Sequence, residues 1–169
     1  MKTIRVAQVF QPGLAHHIRV LSYHTTLASA IHQFAQDNAL RSLFLVDEVG
    51  KLMGIVSRHD LLDWVRLQMG MPPGTGTEPL QLRRLRQLLR ASTALDIASK
   101  HSVASVLHVN ETLADAVEKM ARSDEVELPV VDDEGHIVGS LSLSRLLDFV
   151  LLYKASTTSE ETSDEEQRL

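Results

Sequence analysis

Two stretches of the chain, LFLVDEVGKLMGIVS at residues 43–57 and LPVVDDEGHIVGSLS at residues 128–142, follow one pattern 85 positions apart. In each stretch, two short apolar runs flank an acidic turn that contains a glycine, which indicates a β-hairpin with a slightly long loop. Each stretch ends on a serine, Ser57 or Ser142, and a helical apolar pattern follows. The repetition predicts two copies of one structural unit.

A second repeated pattern lies upstream of each hairpin, as TLASAIHQFAQ from Thr26 and TLADAVEKMAR from Thr112. Its apolar residues recur at i, i+3, i+4, i+7 and i+8, which predicts an amphipathic helix lying on a sheet. A short apolar alternation precedes each helix, at Ile18–Leu21 and at Val106–Val109. The chain is therefore predicted to contain a β-α-β-β-α unit twice.

Composition limits the classes of protein that the chain can belong to. With 169 residues and 44% hydrophobic content, it can bury one sizeable core or two small ones. The absence of cysteine excludes disulfides, thiolate metal sites and a cysteine nucleophile, and it favours a reducing compartment. The N-terminal stretch lacks the apolar core of a signal peptide, and no window is long enough to span a membrane. We therefore expect a cytoplasmic protein.

Charge and composition also divide the chain into segments. The segment Ser156–Leu169 holds five acidic residues and one arginine, so most of the formal charge of -5 lies there. A polar segment without apolar periodicity cannot offset its ordering entropy, which predicts a flexible acidic tail. The predicted segments are a first repeat at 1–67, a linker loop and basic helix at 68–92, a second repeat at 93–155 and the tail at 156–169.

The hairpin blocks LFLVDEVGKLMGIVSRHDLL and LPVVDDEGHIVGSLSLSRLL, preceded at the same interval by TTLASAI and ETLADAV, resemble a tandem pair of cystathionine-β-synthase (CBS) domains. The resemblance covers roughly residues 4–153. It implies an α/β (α+β) fold in which two β-α-β-β-α repeats pack about a pseudo-two-fold axis, here with an inserted linker helix. It also implies clefts between the repeats that bind adenine nucleotides or related adenosyl ligands.

Four polar residues follow the second strand of the first hairpin: Ser57, Arg58, His59 and Asp60. Ser57 and Asp60 fit a capping box, in which each side chain bonds to the backbone amide of the other, and that role alone would explain both. The resemblance implies a second role, because the run from Gly54 to Asp60 matches the family motif. The Asp60 carboxylate would then accept from ribose hydroxyls, while Ser57 and the helix-start amides would donate to phosphate.

The resemblance assigns further residues to this first cleft. Arg58 or His59 would lie near phosphate. Arg41 and Ser42 precede the first strand of the hairpin, where phosphate-binding members of the family often carry basic residues. The strand that would lie alongside the base contributes Ile18, Val20 and Leu21.

The second copy departs from the family motif, because Ser142 and Arg145 occupy the positions of Ser57 and Asp60. A guanidinium has no acceptor for a ribose hydroxyl. Glu127, just before the second hairpin, would repel phosphate. Arg145 could pair with Glu127, bind an anion from the other side of the cleft, or simply be solvated.

The insertion between the repeats reads RLQMGMPPGTGTEPLQLRRLRQLLRAST. GMPPGTGTEP is typical of a loop, and LQLRRLRQLLR predicts a helix with leucines on one side. The rest of this helix carries arginines, for which the simplest interpretation is a solvated face: Arg83, Arg84, Arg86 and Arg90. A nucleic-acid partner is not favoured, because the face lacks aromatic residues and the body is nearly neutral.

Two classes of function remain, since the motifs support neither catalysis nor a metal site. The first is a regulatory module that senses AMP, ADP, ATP or a related adenosyl ligand and acts on an unknown effector protein in trans. The second is a ligand-free CBS-fold dimer that serves as an interaction or scaffold protein. A homodimer is predicted in either case, because apolar residues surround the last helix and one face would otherwise be exposed.

Overall fold

The structure, a computed structural model, describes residues 3–71, 82–98, 105–123 and 125–153. The predicted acidic tail and the loop part of the linker after residue 71 lie outside these residues. In chain order, the elements are a 3-10 turn (Val6–Gln8), β1 (Gln11–Pro12), β2 (Ile18–Ser22), α1 (Leu27–Gln36), β3 (Ser42–Val46), β4 (Leu52–Ser57), α2 (Arg58–Gln68), α3 (Leu82–Leu89), α4 (Ala94–Ile97), β5 (Leu107–His108), α5 (Leu113–Ser123), β6 (Glu127–Val131), β7 (Ile137–Ser142) and α6 (143–153).

The strands form two sheets, one for each repeat. In the first sheet, β2 runs parallel to β3, and β3 pairs antiparallel with β4. In the second sheet, β5 runs parallel to β6, β6 pairs antiparallel with β7, and β1 adds an edge strand beside β7. The two hairpins have the same register, since Ser42 lies opposite Ser57 and Glu127 lies opposite Ser142. The predicted pair of repeats in a mixed α/β fold is confirmed.

The helices that lead into each hairpin begin at the predicted threonines. The Thr26 hydroxyl accepts from the amide of Ser29 at the start of α1, and the Thr112 hydroxyl accepts from the amide of Asp115 at the start of α5. These bonds satisfy amides that have no partner inside the helix. The periodic apolar faces then pack on the sheets, as the sequence predicts.

The segment that precedes each repeat in the chain packs on the other repeat, so the two segments are exchanged. The amide of Ala94 in α4 donates to the carbonyl of Thr25 in the first repeat, and the amide of Val6 donates to the carbonyl of Glu111 in the second, each over 2.8 Å. Since Thr25 and Glu111 occupy matching positions, the two exchanges are related by the pseudo-two-fold relationship between the repeats.

The N-terminal segment therefore lies on the second repeat, which differs from the predicted boundary of 1–67 for the first. β1 pairs with β7, and both Val6 and Val9 belong to the core of the second repeat. The order of elements along the chain could not show this, because the exchange depends on a sheet edge that forms only in three dimensions.

Each repeat has its own core, and a third apolar cluster joins them. Ile18, Phe44 and Ile55 of the first sheet are buried there with Ile137 of the second packed against them. The inserted helix α3 contributes Leu88, which is 1% exposed, to the first core. In the described part of the chain, no helix is both long and apolar enough to cross a bilayer.

Candidate functional site

The junction of β4 and α2 holds the residues that the sequence singles out most strongly. The Ser57 hydroxyl accepts from the Asp60 amide over 3.3 Å, and the Asp60 carboxylate accepts from the Ser57 amide over 2.8 Å and from its hydroxyl over 2.9 Å. The capping box is therefore present. One oxygen, Oδ2, makes all of the bonds to Ser57, which leaves Oδ1 outside the capping interaction.

Asp60 is buried, unlike most helix-capping carboxylates. Its relative exposure is 8%, and this burial raises its pKa above the ordinary value. The bonds from Ser57 and the positive charge of Arg84 act in the opposite direction. A buried carboxylate with an acceptor oxygen outside the cap has the chemistry to hold a hydroxyl group or a cation.

Three of the predicted first-cleft residues lie at the same end of the first sheet as Ser57. Ile18 is the register partner of Ser42, and Ser42 is the register partner of Ser57. Arg41 is exposed and its amide donates to the carbonyl of His17. A cavity of about 30 Å³ at this end is lined by residues of both repeats: His17, Ile18, Arg41, Ser42, Phe44, Glu125, Val126 and Glu127.

Two predicted residues point away from this cavity. The Arg58 guanidinium donates to the carbonyls of Leu40 and Asn38, so it fastens the loop before β3 to the start of α2. His59 is exposed and its Nε2 lies 4.0 Å from a carboxylate oxygen of Asp63. Neither side chain lines the cavity, and Ser57 and Asp60 are not among its lining residues either.

Val20 and Leu21 also lie apart from Asp60. Val20 lines a second cavity, of about 210 Å³, formed by both repeats: Gly13, Leu14, Val20, Val46, Gly50, Ile137, Val138 and Gly139. Leu21 packs against the core of the first repeat. The residues of β2 that were predicted to lie together beside a ligand are therefore separated, because neighbouring side chains of a strand point to opposite faces of the sheet.

A contact between the repeats is the feature that sequence reasoning missed. His17 Nε2 contacts a carboxylate oxygen of Glu127, and the other carboxylate oxygen accepts from the Ser140 hydroxyl over 2.6 Å. Both side chains are largely buried. Glu127 thus has partners other than Arg145, and both His17 and Glu127 line the cavity between the repeats. The separation of 110 positions leaves no local sequence signal for it.

Arg145 has a structural partner in the second repeat. Its Nε donates to the carbonyl of Val9 over 3.1 Å, and its amide donates to the Ser142 hydroxyl over 3.2 Å. Of the alternatives left open by the sequence, solvation is observed, because Arg145 is exposed, and pairing with Glu127 is not. The guanidinium instead binds the backbone at the end of the exchanged N-terminal turn.

Arg84 differs from the solvated face predicted for the inserted helix. Arg83, Arg86 and Arg90 are exposed, but Arg84 is only partly exposed and donates to three backbone carbonyls. The carbonyls belong to Asp96, Ile97 and Ala98, at and just beyond the end of α4. The leucine and arginine pattern predicted the helix but could not distinguish this arginine from its neighbours.

Among the described residues, one group has the spacing of metal ligands, at the turn between β6 and β7: Asp132, Glu134 and His136. Asp132 already accepts from the amides of Glu134 and His136, and its other oxygen lies 3.3 Å from His136 Nδ1. The turn geometry accounts for the group without a metal ion.

Comparison with known proteins connects this architecture to one family. The model of the CBS domain matches residues 13–67 and 95–152. The structure of CBSX2 in complex with AMP is similar over 89% of this chain and 98% of its own, with 22% identity and a TM-score of 0.60. The CBS pair of a putative Mg²⁺ transporter from Shewanella oneidensis MR-1 covers 91% of this chain, and 74% of its own length is matched, with 26% identity and a TM-score of 0.60.

A third similar structure is the CBS pair of protein MJ0100 in complex with 5′-methylthioadenosine and S-adenosyl-L-methionine. It covers 88% of this chain and 97% of its own, with 19% identity and a TM-score of 0.55. Since the two matches to the domain model span most of the described residues, the chain belongs to the family of proteins built from tandem CBS domains.

Proposed function

We propose that this chain is a regulatory module that binds an adenosyl nucleotide beside Asp60 and acts on a partner protein in trans. The buried Asp60 carboxylate supports this most directly. A capping residue at a helix start is normally solvated, and burying it costs free energy that a structural role alone does not require. Such a cost is typical of a binding site.

The ligands of similar proteins support the adenosyl class. CBSX2 is described with AMP, the MJ0100 pair with 5′-methylthioadenosine and S-adenosyl-L-methionine, and the cytosolic domain of the Mg²⁺ channel MgtE with ATP. In this chain, the Asp60 carboxylate would accept from the ribose hydroxyls, and Arg41, Ser42 and Ser57 would face phosphate. Binding would alter the relative position of the repeats and so the surface that a partner meets. No chemical step is required of the protein.

A second candidate function, that of a ligand-free interaction protein, is favoured by the contact between His17 and Glu127. The cavity that these two residues help to line measures about 30 Å³, whereas small-molecule sites measure roughly 300–1,000 Å³. A nucleotide could enter only if this contact opened. If it does not open, the fold would act through its surfaces alone.

The test is calorimetric titration of AMP, ATP and S-adenosylmethionine into the wild type and three variants. Asp60→Asn keeps one acceptor oxygen and loses the charge, so it should weaken binding by at least about tenfold, since about 1.4 kcal/mol is one decade. Asp60→Ala should weaken it further. Arg145→Ala should leave affinity unchanged, because its guanidinium binds the Val9 carbonyl.

Two results would contradict the proposal. One is a wild type that binds none of these ligands at millimolar concentration, which would leave the interaction protein as the function. The other is loss of binding in Arg145→Ala with retention in Asp60→Ala, which would move the site to the second repeat.

We also propose that the protein works as a homodimer in the cytoplasm. α2 and α6 occupy matching positions, and each exposes large apolar side chains. On α2 these are Leu62 and Val65, with Met69 just after its end, and on α6 they are Leu143, Leu147, Val150, Leu151, Leu152 and Tyr153. Several exposed large apolar side chains on one helix are typical of an interface, and a second copy would supply matching ones.

A further inference from the structure

The contact between His17 and Glu127 lies in the small cavity at the end of the first sheet and joins the two repeats. His17 Nε2 contacts one carboxylate oxygen of Glu127, and the other oxygen accepts from the Ser140 hydroxyl over 2.6 Å. The side chains of His17 and Glu127 are 23% and 13% exposed. A carboxylate accepts hydrogen bonds, so His17 Nε2 is the donor. Each repeat therefore holds one oxygen of the Glu127 carboxylate.

The first repeat brings further donors to this cavity. Arg41 and Ser42 line it together with His17. Among the residues that the structure describes, neither the Arg41 guanidinium nor the Ser42 hydroxyl has a hydrogen-bond partner. A guanidinium, an imidazole and a hydroxyl are groups that donate to carboxylate and phosphate oxygens. The wall that the first repeat contributes thus has the chemistry of a site for an anion.

The carboxylate at this wall comes from the other repeat. Glu127 begins β6 and lies opposite Ser142, whereas Ser42 begins β3 and lies opposite Ser57, so Glu127 and Ser42 occupy matching positions. The first repeat has a short hydroxyl there. The second repeat has a longer side chain that reaches His17 of the first repeat. Glu127 therefore gives His17 the kind of oxygen that a free anion would provide.

The size of the cavity shows that an anion would have to replace Glu127 rather than bind beside it. The cavity measures about 30 Å³, which is room for about two water molecules. Glu125 also lines it and brings a second carboxylate. An anion placed beside both carboxylates would be repelled, because like charges at close range repel strongly when they are partly shielded from water.

We propose that His17, Arg41 and Ser42 form an anion subsite between the repeats, and that Glu127 occupies this subsite until the phosphate group of a ligand replaces it. The exchange breaks a bond between the repeats and forms a bond to the ligand, so anion binding is coupled to the relative position of the repeats. The step from a phosphate group to an adenosyl nucleotide rests on the proposed function. The anion subsite itself does not.

The first test uses inorganic phosphate as the probe, at constant pH and ionic strength, and compares Glu127→Gln with Glu125→Gln. The readout is the NMR signal of the His17 ring, assigned by comparison with His17→Gln. In Glu127→Gln, phosphate should move this signal with a midpoint at least about tenfold lower than in wild type, because a neutral amide competes less well than a carboxylate for His17. Glu125→Gln removes the same charge from the cavity but leaves Glu127 on His17, so its midpoint should fall less.

Glu127→Ser is a second variant for the same titration, and it gives the second repeat the residue that the first repeat has at the matching position. The serine side chain is too short to reach His17, so the phosphate midpoint should fall at least as far as in Glu127→Gln. A His17 signal that phosphate moves in neither variant would overturn the subsite. Equal midpoints in wild type and Glu127→Gln, or an equal fall in Glu127→Gln and Glu125→Gln, would show that Glu127 does not occupy it.

The second test compares AMP with adenosine, which differ by the phosphate group, in calorimetric titrations of the same proteins. The ratio of the AMP affinity to the adenosine affinity should rise at least about tenfold in Glu127→Gln, which corresponds to about 1.4 kcal/mol. In Glu125→Gln the ratio should rise less. An unchanged ratio in Glu127→Gln would show that the nucleotide phosphate does not replace Glu127. Proteins that bind phosphate but neither AMP nor adenosine would contradict the proposed function and leave the anion subsite in place.

Discussion

Arg84 and Arg145 make equivalent contacts in the two repeats although they do not occupy equivalent sequence positions. Arg84, from the inserted helix, donates to the carbonyl of Ile97, and Arg145, from the start of the last helix, donates to the carbonyl of Val9. Both carbonyls lie at the end of an exchanged turn. In each repeat an arginine therefore binds the carbonyl at this place, but only in the second repeat does that arginine occupy the position that matches Asp60.

Leu88→Ala should lower the free energy of unfolding by about 2–5 kcal/mol, because it leaves a cavity in the first core where Leu88 is fully buried. Leu89→Ala is the matched control. Leu89 is the next residue of the same helix and is 56% exposed, so its truncation should cost less than about 0.5 kcal/mol. Urea unfolding measures both. Equal and small effects would show that α3 is not part of the core.

Gly139→Ala should be strongly destabilising, because its Cβ would lie 2.1 Å from the carbonyl oxygen of Gln11. A backbone atom cannot rotate away, so β1 would have to leave the sheet edge. Gly54→Ala, at the matching position of the first repeat, meets the movable end of Leu95 and should cost less. Thermal melting compares the two variants. A Gly54 variant that melts lower than the Gly139 variant would contradict the exchanged packing.

His17→Ala should weaken the association between the repeats. It leaves the largely buried Glu127 carboxylate with the Ser140 hydroxyl as its remaining described partner, at a cost of about 1–3 kcal/mol. His16→Ala is the control, since His16 is adjacent and exposed. Urea unfolding gives the cost, and AMP titration of the same variants reports whether opening this contact improves ligand entry. Equal effects of both substitutions would show that the contact contributes nothing.

Asp60→Asn should stabilise the protein at neutral pH while it impairs ligand binding. Burial raises the pKa of Asp60 in the folded state, so the folded protein binds this proton more tightly than the unfolded chain does. The stability of wild type then falls as pH rises from the ordinary pKa of 3.8 through the folded value. Asparagine removes this dependence, so the difference in unfolding free energy between variant and wild type should grow with pH.

Asp96→Asn is the control for that experiment, because its effect on stability should depend on pH in the opposite direction. Bonds from the amides and hydroxyls of Thr93 and Ser92 outweigh desolvation and lower the pKa of Asp96 in the folded state. The stabilisation from this carboxylate is present above its ordinary pKa and is lost as pH falls through the folded value. Urea unfolding followed from neutral pH to below the ordinary pKa of 3.8 should therefore show the stability deficit of Asp96→Asn relative to wild type shrinking as pH falls. Parallel curves for the two variants would refute the assigned pKa directions.

Leu147→Glu should convert the proposed homodimer into a monomer, because it places a charge in the apolar surface of α6 where Leu147 is 54% exposed. Light scattering should give about twice 18.8 kDa for wild type and 18.8 kDa for the variant. Val49→Glu, at the exposed tip of the first hairpin, should remain dimeric. A wild type of 18.8 kDa at micromolar concentration would contradict the dimer.

The repeated β-α-β-β-α order could be predicted because it rests on local rules. The alternation in the hairpins, the glycine turns at Gly50 and Gly135, and the helix caps at Thr26 and Ser57 all act within a few residues. The capping box at Ser57 and Asp60 is likewise local, so the sequence was sufficient to locate it. What the sequence left undecided was whether that carboxylate is solvated.

Contacts over long separations were decided only by the tertiary structure. The exchange of the N-terminal segment and the pairing of His17 with Glu127 join residues whose spacing carries no periodicity. The same holds for the bonds from Arg84 to residues 96–98, which distinguish Arg84 from its exposed neighbours. A side chain's burial and charge environment depend on which surfaces meet after folding, and identical local patterns can meet different surfaces. Sequence alone therefore determined the elements and the location of the β4–α2 junction, while packing determined that Asp60 is buried and that Arg84 binds the backbone of residues 96–98.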